Sequence, residues 1–366
     1  MKLAYSEMHD FARRVLSLGG SVPLRISLLA SGGSHRSFYR IRWEKNLSAV
    51  FMHYDHTREE NNYYAEIATF LRGIGIPSPQ IMAHDPVRGF ILMEDLGDVT
   101  LWSLRHRPWR EKSHYYRLTL SIMHRLHTFP LERFPGDEVR LMAGFGDELY
   151  RWEHNYFLDN CVREACGMKL DVGTRKKLSA ELRNLSHRLG NTAPSLVHRD
   201  FQSRNVMIRD HEPVLIDFQG MRFGSMFYDL GSLLYDPYVT FTERERETLL
   251  RYYFSLTEGN NLIETEQDLL KRASPRQPGL VRRDAPRKNW MVFLETFREA
   301  SAQRLMQALG AYGFLGLKLN LPAFLSHIPQ GIANLIHATT HANRLPQLRD
   351  LAIECQKLLQ KRGPEK

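Results

Sequence analysis

A set of polar residues in the middle of this 366-residue chain constrains its fold more than any other feature. Asp200 is followed by Asn205 and then by Asp217. Between Asn205 and Asp217, two apolar runs enclose the polar turn 209–213, a pattern that predicts a β-hairpin. We therefore expect Asn205 and Asp217 to lie side by side, with Asp200 facing the same cavity.

These three side chains are of the types that phosphoryl transfer requires. The reaction needs an oriented acceptor hydroxyl, divalent cations on the phosphates, and groups that absorb negative charge. A carboxylate such as Asp200 can accept the hydroxyl proton, and the oxygens of Asn205 and Asp217 are hard ligands that suit Mg²⁺. The alternative interpretation is that isolated Asp and Asn residues form caps and turns. The joint pattern favours a phosphotransferase with Asp200 as catalytic base and Asn205 and Asp217 as metal ligands.

The residues around this pattern are expected to support the loop or to bind the acceptor. His198 is interpreted as a structural residue that holds the loop, and Arg199 as the partner of either a phosphate or a carboxylate. Gln202 and Arg204 are candidates to line the acceptor pocket. Asp236 is a further candidate for substrate binding, because it is the acidic residue that stands out downstream of the pattern.

Asp229 has two possible roles that do not involve chemistry. It follows Tyr228 and precedes an apolar run, which predicts that it opens a helix and caps the free N–H groups there. In the second interpretation it also braces the loop around His198 from behind. Neither role makes Asp229 a participant in the reaction.

The organisation of the chain changes near residue 95. The first 94 residues predict a helix over 2–18, a small antiparallel sheet and a helix over 58–73. Its strands are expected near 25–29, 38–43, 48–53, 80–84 and 90–93. A polar connection, Glu94–Asp98, is the expected hinge. The remainder is mostly helical, with helices expected near 112–128, 147–164, 173–190, 229–235, 242–257, 289–312 and 345–360.

A loop of small residues joins the first two predicted strands. It contains Ser31, Gly32, Gly33 and Ser34. Such a loop is typical of a hairpin, and it leaves backbone N–H groups free to face an anion.

Composition excludes several classes of protein. Hydrophobic residues make up 43% and charged residues 25%, as in ordinary globular proteins. The three cysteines are too few for a disulfide framework and favour a reducing compartment. The chain shows neither a secretory signal nor an apolar run long enough to span a bilayer, so a cytoplasmic location is expected. The net charge of +9 alone would allow a nucleic-acid binder, but it equally suits a nucleotide or an acidic sugar.

The motifs together resemble the aminoglycoside phosphotransferase-like kinase superfamily over residues 20–345. The resemblance is carried by the small-residue loop, the hinge, His198-Arg199-Asp200 with Asn205, Leu215-Ile216-Asp217-Phe218, and Tyr228-Asp229-Leu230. It implies an α+β, protein-kinase-like two-lobed fold, with a small antiparallel-sheet N-lobe containing one main helix and a larger, mostly helical C-lobe. The implied division is a nucleotide-binding lobe over 1–94 and a catalytic and substrate-binding lobe over 95–366, and the implied cofactors are ATP and Mg²⁺.

Further stretches are similar to one branch of this superfamily, the cell-wall amino-sugar kinases. They are Phe90–Asp98, Leu215–Gly220, Tyr228–Val239 and Gln303–Pro329. The branch implies phosphorylation of the anomeric hydroxyl of N-acetylmuramate and/or N-acetylglucosamine in cell-wall recycling. The expected partners are a sugar and a nucleotide, with no nucleic acid and no membrane, and a monomer is expected. Other acceptors, namely an aminoglycoside, choline or homoserine, remain as alternatives, as does a nucleotide-binding regulator without activity.

The resemblance also implies how the nucleotide would be bound. The loop 31–37 would cover the ATP phosphates, and Glu94, Asp95 and Leu96 would meet the adenine. The lysine that kinases carry on their third strand is absent, and Met52 stands at that position, with Glu66 as the nearest candidate for its helix partner. The cation that replaces the lysine is left open among four candidates: His35, Arg36, His53 and Arg58.

Overall fold

The structure is a computed structural model that describes residues 5–32, 35–258 and 287–362. Its strands are β1 (Arg25–Gly32), β2 (Arg36–Glu44), β3 (Leu47–Tyr54), β4 (Ile81–Asp85), β5 (Phe90–Glu94), β6 (Pro194–Val197), β7 (Val206–Arg209), β8 (Glu212–Leu215) and β9 (Arg222–Ser225). Its α-helices are α1 (Tyr5–Val15), α2 (Tyr64–Gly73), α3 (Trp109–His127), α4 (Asp147–Phe157), α5 (Val172–Gly190), α6 (Met226–Leu234), α7 (Glu243–Thr257), α8 (Arg287–Gly313), α9 (Ile328–Thr340) and α10 (Pro346–Arg362).

The N-terminal part is an antiparallel sheet of five strands in the order β1-β2-β3-β5-β4. Alternation along β3 sends Ala49 and Phe51 to one face, where they pack with Met8 and Phe11 of α1. The opposite face, which includes Met52, joins α2 and the core of the C-terminal part. The sheet is therefore covered by a helix on each face, and α2 connects it to the rest of the molecule.

The C-terminal part is built around the long helix α8, which packs against α4, α6 and α9. Helix α6 is buried along nearly its whole length and lies against α8 at a very short distance. A Cβ atom on Gly231 would lie 2.8 Å from the Cα of Ser301, so only glycine allows this approach. Two strands at the edge of this helical core, β6 and β9, pair antiparallel and carry the loop that contains Asp200.

The expected hairpin forms between β7 and β8. Val206 pairs with Leu215 and Arg209 with Glu212. The two turn residues, Asp210 and His211, have φ angles of 50° and 67°, the left-handed values that a two-residue hairpin turn requires. The prediction that this segment is a hairpin is therefore confirmed.

The α+β two-lobed fold predicted from the sequence is confirmed, with local corrections. Strands β1 and β2 extend into the predicted loop, since Ser31 and Gly32 pair with β2. Residues Gly33 and Ser34 lie outside the described residues, as do residues 259–286. The sequence patterns predict neither helix α9 nor the pairing of strand β6 with strand β9.

Two further expectations concern cysteines and membranes. The three cysteines, Cys161, Cys166 and Cys355, are all buried. Within the described ranges, no helix is both long enough and apolar enough to cross a bilayer.

We predict that Gly231→Ala destabilises the protein, because the added methyl group meets the backbone of Ser301. The expected loss in the free energy of unfolding is about 1–3 kcal/mol, measured by urea denaturation. The control is Gly73→Ala at the end of α2, where a Cβ meets nothing within 4 Å, so the change should stay below about 1 kcal/mol. Equal stability of the two variants would contradict the described packing of α6 on α8.

Candidate active site

The loop that carries Asp200 is held by one buried carboxylate, Asp229. Its Oδ2 accepts a hydrogen bond from the backbone N–H of His198 (2.7 Å), and its Oδ1 accepts one from the N–H of Arg199 (2.8 Å). Arg199 has a φ angle of 77°, which is strained for a residue with a side chain. The bracing role of Asp229 is therefore confirmed, whereas the capping role is wrong, because Asp229 is the fourth residue of α6.

Behind Asp229 lies a buried polar chain that connects three helices. Its Oδ2 is 3.1 Å from Nε2 of His127 on α3, and Nδ1 of the same imidazole is 2.7 Å from the hydroxyl of Tyr253 on α7. The imidazole of His198 supports the loop separately, with Nε2 3.0 Å from the carbonyl oxygen of Ile216. These contacts fix the loop to the helical core and to the end of the hairpin.

Two arginines flank the carboxylate of Asp200. Arg199 Nη1 is 3.3 Å from Oδ2, and Arg304 Nη2, from α8, is 3.2 Å from Oδ1. Burial alone would raise the pKa of Asp200, but Arg199 and Arg304 outweigh it and hold this pKa below its usual range. Asp200 is thus ionised at neutral pH, and 28% of its side chain is exposed and available to a substrate.

Asn205 and Asp217 are brought together at the base of the hairpin. Asn205 Nδ2 is 3.3 Å from Asp217 Oδ2 and also donates to the backbone carbonyl of Asp200 (2.8 Å). The side-chain amide of Asn205 also carries an oxygen. A carboxylate and an amide oxygen match the small set of protein ligands that Mg²⁺ takes beside water and phosphate. The residues present therefore fit a magnesium ion.

Arg36 on β2 reaches the same place from the sheet. Its Nη2 donates to Asp217 Oδ1 at 2.6 Å, although 181 residues separate the two in sequence. Only 6% of the arginine is exposed. Burial alone would lower the pKa of Arg36, but the carboxylate of Asp217 raises it, so the guanidinium is a fixed cation.

Arg36, Asn205 and Asp217 line a cavity of about 550 Å³ between the sheet and the hairpin, whereas Asp200 is not among its lining residues. Its upper wall comes from β2, β3 and β5, and its lower wall from the hairpin and its flanks. The lining residues are Leu29, Arg36, Phe38, Arg40, Val50, Tyr64, Pro79, Met93, Glu94, Asp95, Leu96, Gly97, Asp98, Thr100, Asn205, Met207, Ile216 and Asp217. The size of the cavity and its mixed apolar and charged lining are typical of a ligand pocket.

The predicted hinge lies on this cavity and is tied to both parts. Arg209 of the hairpin forms an ion pair with Glu94. Asp95 accepts from Ser48 of β3 (2.7 Å) and pairs with Arg40 of β2 (2.6 Å). Glu94, Asp95 and Leu96 all line the cavity, as a nucleotide-binding role requires.

Two predicted site residues are placed elsewhere. Met52, the residue at the position of the missing lysine, is fully buried in the core and does not line the cavity, whereas Val50, two residues earlier on the same face of β3, does. Asp236 is also fully buried, and it accepts hydrogen bonds from the N–H and hydroxyl of Ser203 (2.8 and 2.6 Å) and from the N–H of Tyr238 (2.9 Å). Its oxygens are occupied, so Asp236 is a structural residue and not a direct substrate contact.

Of the four candidates for the missing lysine, only Arg36 lines the cavity. His35 is exposed and lies 3.0 Å from Asp55, and His53 packs edge-on against Phe90. Arg58 lies 3.7 Å from Glu60. The expected helix partner, Glu66, forms an ion pair with Arg140 (2.6 Å) instead.

Arg304 is the functional candidate that the sequence did not indicate. Its guanidinium is buried and reaches Asp200 from α8, 104 residues further along the chain. Residues 303–329 are similar to one branch of the superfamily. However, no pattern in the neighbouring sequence indicates that Arg304 contacts Asp200. Gln202 is half-buried near the loop, and its role at the acceptor remains a prediction.

The sequence of this chain is similar to those of known phosphotransferases. The model of the family described as "Phosphotransferase enzyme family" matches residues 25–266. An N-acetylmuramate/N-acetylglucosamine kinase of Pseudomonas aeruginosa is 26% identical over 238 residues, which cover 64% of this chain and 67% of that protein. A protein of the same name from Pseudomonas putida is 24% identical over 344 residues, 92% of this chain and 90% of that protein.

Among solved structures, the streptomycin-ATP-APH(2")-IIa ternary complex has the same fold. It superposes with a TM-score of 0.55 at 14% identity and covers 87% of this chain and 93% of that chain.

We predict that Asp229→Asn loosens the loop of Asp200, because an amide NH₂ would then face a backbone donor. The expected loss in the free energy of unfolding is about 1–3 kcal/mol. Turnover of the remaining folded protein should fall about 10- to 100-fold, since small displacements of a reacting group are costly. The control is Asp210→Asn in the exposed hairpin turn, measured by urea denaturation and ADP release. Unchanged stability of Asp229→Asn would refute the bracing role.

Proposed function

The chain belongs to the phosphotransferase enzyme family, and from this premise we propose that it transfers the γ-phosphate of ATP to the anomeric hydroxyl of N-acetylmuramate and/or N-acetylglucosamine. The observation that carries the proposal is that Asn205, Asp217 and the cation Arg36 line one cavity, with Asn205 also bound to the backbone carbonyl of Asp200. The names of the two relatives support the choice of sugar.

In the proposed reaction, Asp200 orients the acceptor hydroxyl. Its ionised carboxylate, held by Arg199 and Arg304, would accept the hydroxyl proton as the new O–P bond forms and the bond to the ADP oxygen breaks. Asn205 and Asp217 would hold Mg²⁺, which when bound neutralises charge on the phosphates. The hinge residues would contact the adenine at the other end of the cavity.

Arg36 would anchor the phosphates in place of the absent lysine. It lines the cavity beside Asp217, and a guanidinium can bind two phosphate oxygens at once. The absent lysine was the one feature in favour of an inactive nucleotide-binding regulator. A cation supplied from β2 removes that argument, so the catalytic proposal is preferred.

The charges around Asp200 favour a neutral or anionic acceptor. Arg199, Arg204 and Arg304 lie within or beside the loop, and each would repel a cationic substrate. A polycationic aminoglycoside needs carboxylates at this place, yet Asp236 is buried and fully occupied. A sugar therefore fits better than either cationic alcohol.

The test is ADP release from ATP and Mg²⁺ with a panel of acceptors: N-acetylmuramate, N-acetylglucosamine, kanamycin and choline. We expect turnover with the two sugars and none with the cations. Asp200→Asn should lower kcat about 10²- to 10⁴-fold with little change in ATP binding, because only proton transfer and orientation are lost. Turnover within a few-fold of wild type would refute the role of Asp200 as base, and activity on kanamycin or choline alone would refute the proposed acceptor.

We further predict that Arg36→Gln lowers kcat/KM for ATP about 10- to 100-fold, as expected for the loss of charge-assisted hydrogen bonds. The matched control is Arg42→Gln on the same strand, whose side chain is exposed and should leave the rate unchanged. The measurement is steady-state kinetics with varied ATP at saturating sugar. Equal kinetics for the two variants would exclude Arg36 as the phosphate anchor.

A further inference from the structure

The side chain of Arg204, in the catalytic turn, lies against two aromatic rings. Its guanidinium carbon is 4.0 Å from the ring centre of Tyr238 and 4.6 Å from that of Trp102. The next residue, Asn205, lines the nucleotide cavity, whereas Arg204 and the two rings do not. Arg204 is therefore the neighbour in sequence of a candidate metal ligand, but it lies outside the nucleotide cavity.

The buried carboxylate of Asp236 fixes both halves of this arrangement. One oxygen accepts from the N–H and hydroxyl of Ser203, which precedes the arginine, and the other accepts from the N–H of Tyr238. The ring of Tyr238 is further packed edge-on against His327, with centroids 4.5 Å apart. Burial, and then the nearby Arg204, lowers the pKa of His327, so this imidazole is neutral at pH 7 and adds no second cation. The guanidinium is thus held in place before any ligand arrives.

Among the described residues, Arg204 has no carboxylate partner and donates no hydrogen bond. Its Nε is buried without an acceptor. The other arginines at the site differ, because Arg36 pairs with Asp217 and both Arg199 and Arg304 pair with Asp200. When aromatic rings cover the faces of a guanidinium, its edge is left for hydrogen bonding. The N–H groups on that edge match the two oxygens of a carboxylate. A positioned cation with unused donors is the feature expected of an anion-binding subsite.

We propose that Arg204 binds a carboxylate on the acceptor, so that an N-acetyl amino sugar with an acidic substituent is preferred over its neutral counterpart. This inference rests on the proposed function and adds the property that selects among amino sugars.

The experiment compares N-acetylmuramate, which carries a lactyl carboxylate, with N-acetylglucosamine, which lacks it. For wild type we expect a higher kcat/KM with the acidic sugar. Arg204→Gln should raise KM for N-acetylmuramate about 10- to 100-fold, with kcat and the kinetics of N-acetylglucosamine changed less than about threefold. Arg204→Lys should lie between, because a lysine keeps the charge but not the paired donors. Activity retained on the neutral sugar also reports that the variant is folded.

The matched control is Arg251→Gln. This arginine also lies over an aromatic ring, Trp290 at 4.4 Å, but it is on helix α7 and is paired with Glu247. It should leave the preference between the sugars unchanged. If Arg204→Gln lost the same activity on both sugars, or lost none on either, the proposed role of Arg204 would be refuted. The proposed function would not be affected by that result. If the wild-type protein phosphorylated neither sugar, the proposed function would fall, and this inference with it.

Discussion

The buried carboxylate of Asp229 is the contact on which the proposed site depends. It binds two successive backbone N–H groups, those of His198 and Arg199, and so holds Arg199 at a φ angle that its side chain disfavours. The next residue is Asp200, whose position follows from that constraint. Asp229 belongs to α6, which packs on α8 through Gly231. The loop is therefore fixed to the helical core.

A second principle of the site is that charges are paired across long distances in the chain. Arg36 of the sheet contacts Asp217 of the hairpin, and Arg304 of α8 contacts Asp200. These contacts join the two lobes and the helical core around one cavity. They also set the ionisation of the site, because the arginines keep Asp200 charged despite its burial. Arg204 departs from this rule, and that exception is what points to an anionic acceptor.

Local patterns in the sequence were sufficient for much of the fold. The strands of the sheet, most helices and the β7–β8 hairpin follow from alternation, periodicity and turn residues, all of which act over a few residues. Helix α9 was missed because Pro329 and Gly331 resemble helix breakers. Proline is tolerated in the first turn, where its missing N–H has no partner in any case.

The site was predictable only as far as its spacing was local. Asn205 and Asp217 lie side by side at the base of the hairpin as expected, whereas Asp200 is not among the residues that line the cavity. The contact of Arg304 with Asp200, the burial of Asp236 and the choice of Arg36 among four cations depend on how distant elements pack. Met52 shows the same limit, since it lies on the same face of β3 as Val50 but is covered by the core, while Val50 lines the cavity.

The proposal that the anomeric hydroxyl is the acceptor is tested most directly by the position of the phosphate in the product. The measurement is NMR of the product formed from N-acetylmuramate labelled with ¹³C at the anomeric carbon, with ATP and Mg²⁺. The account predicts that this carbon and its proton show coupling to phosphorus. Coupling of phosphorus to protons of another ring or methylene position, with none at the anomeric carbon, would contradict it.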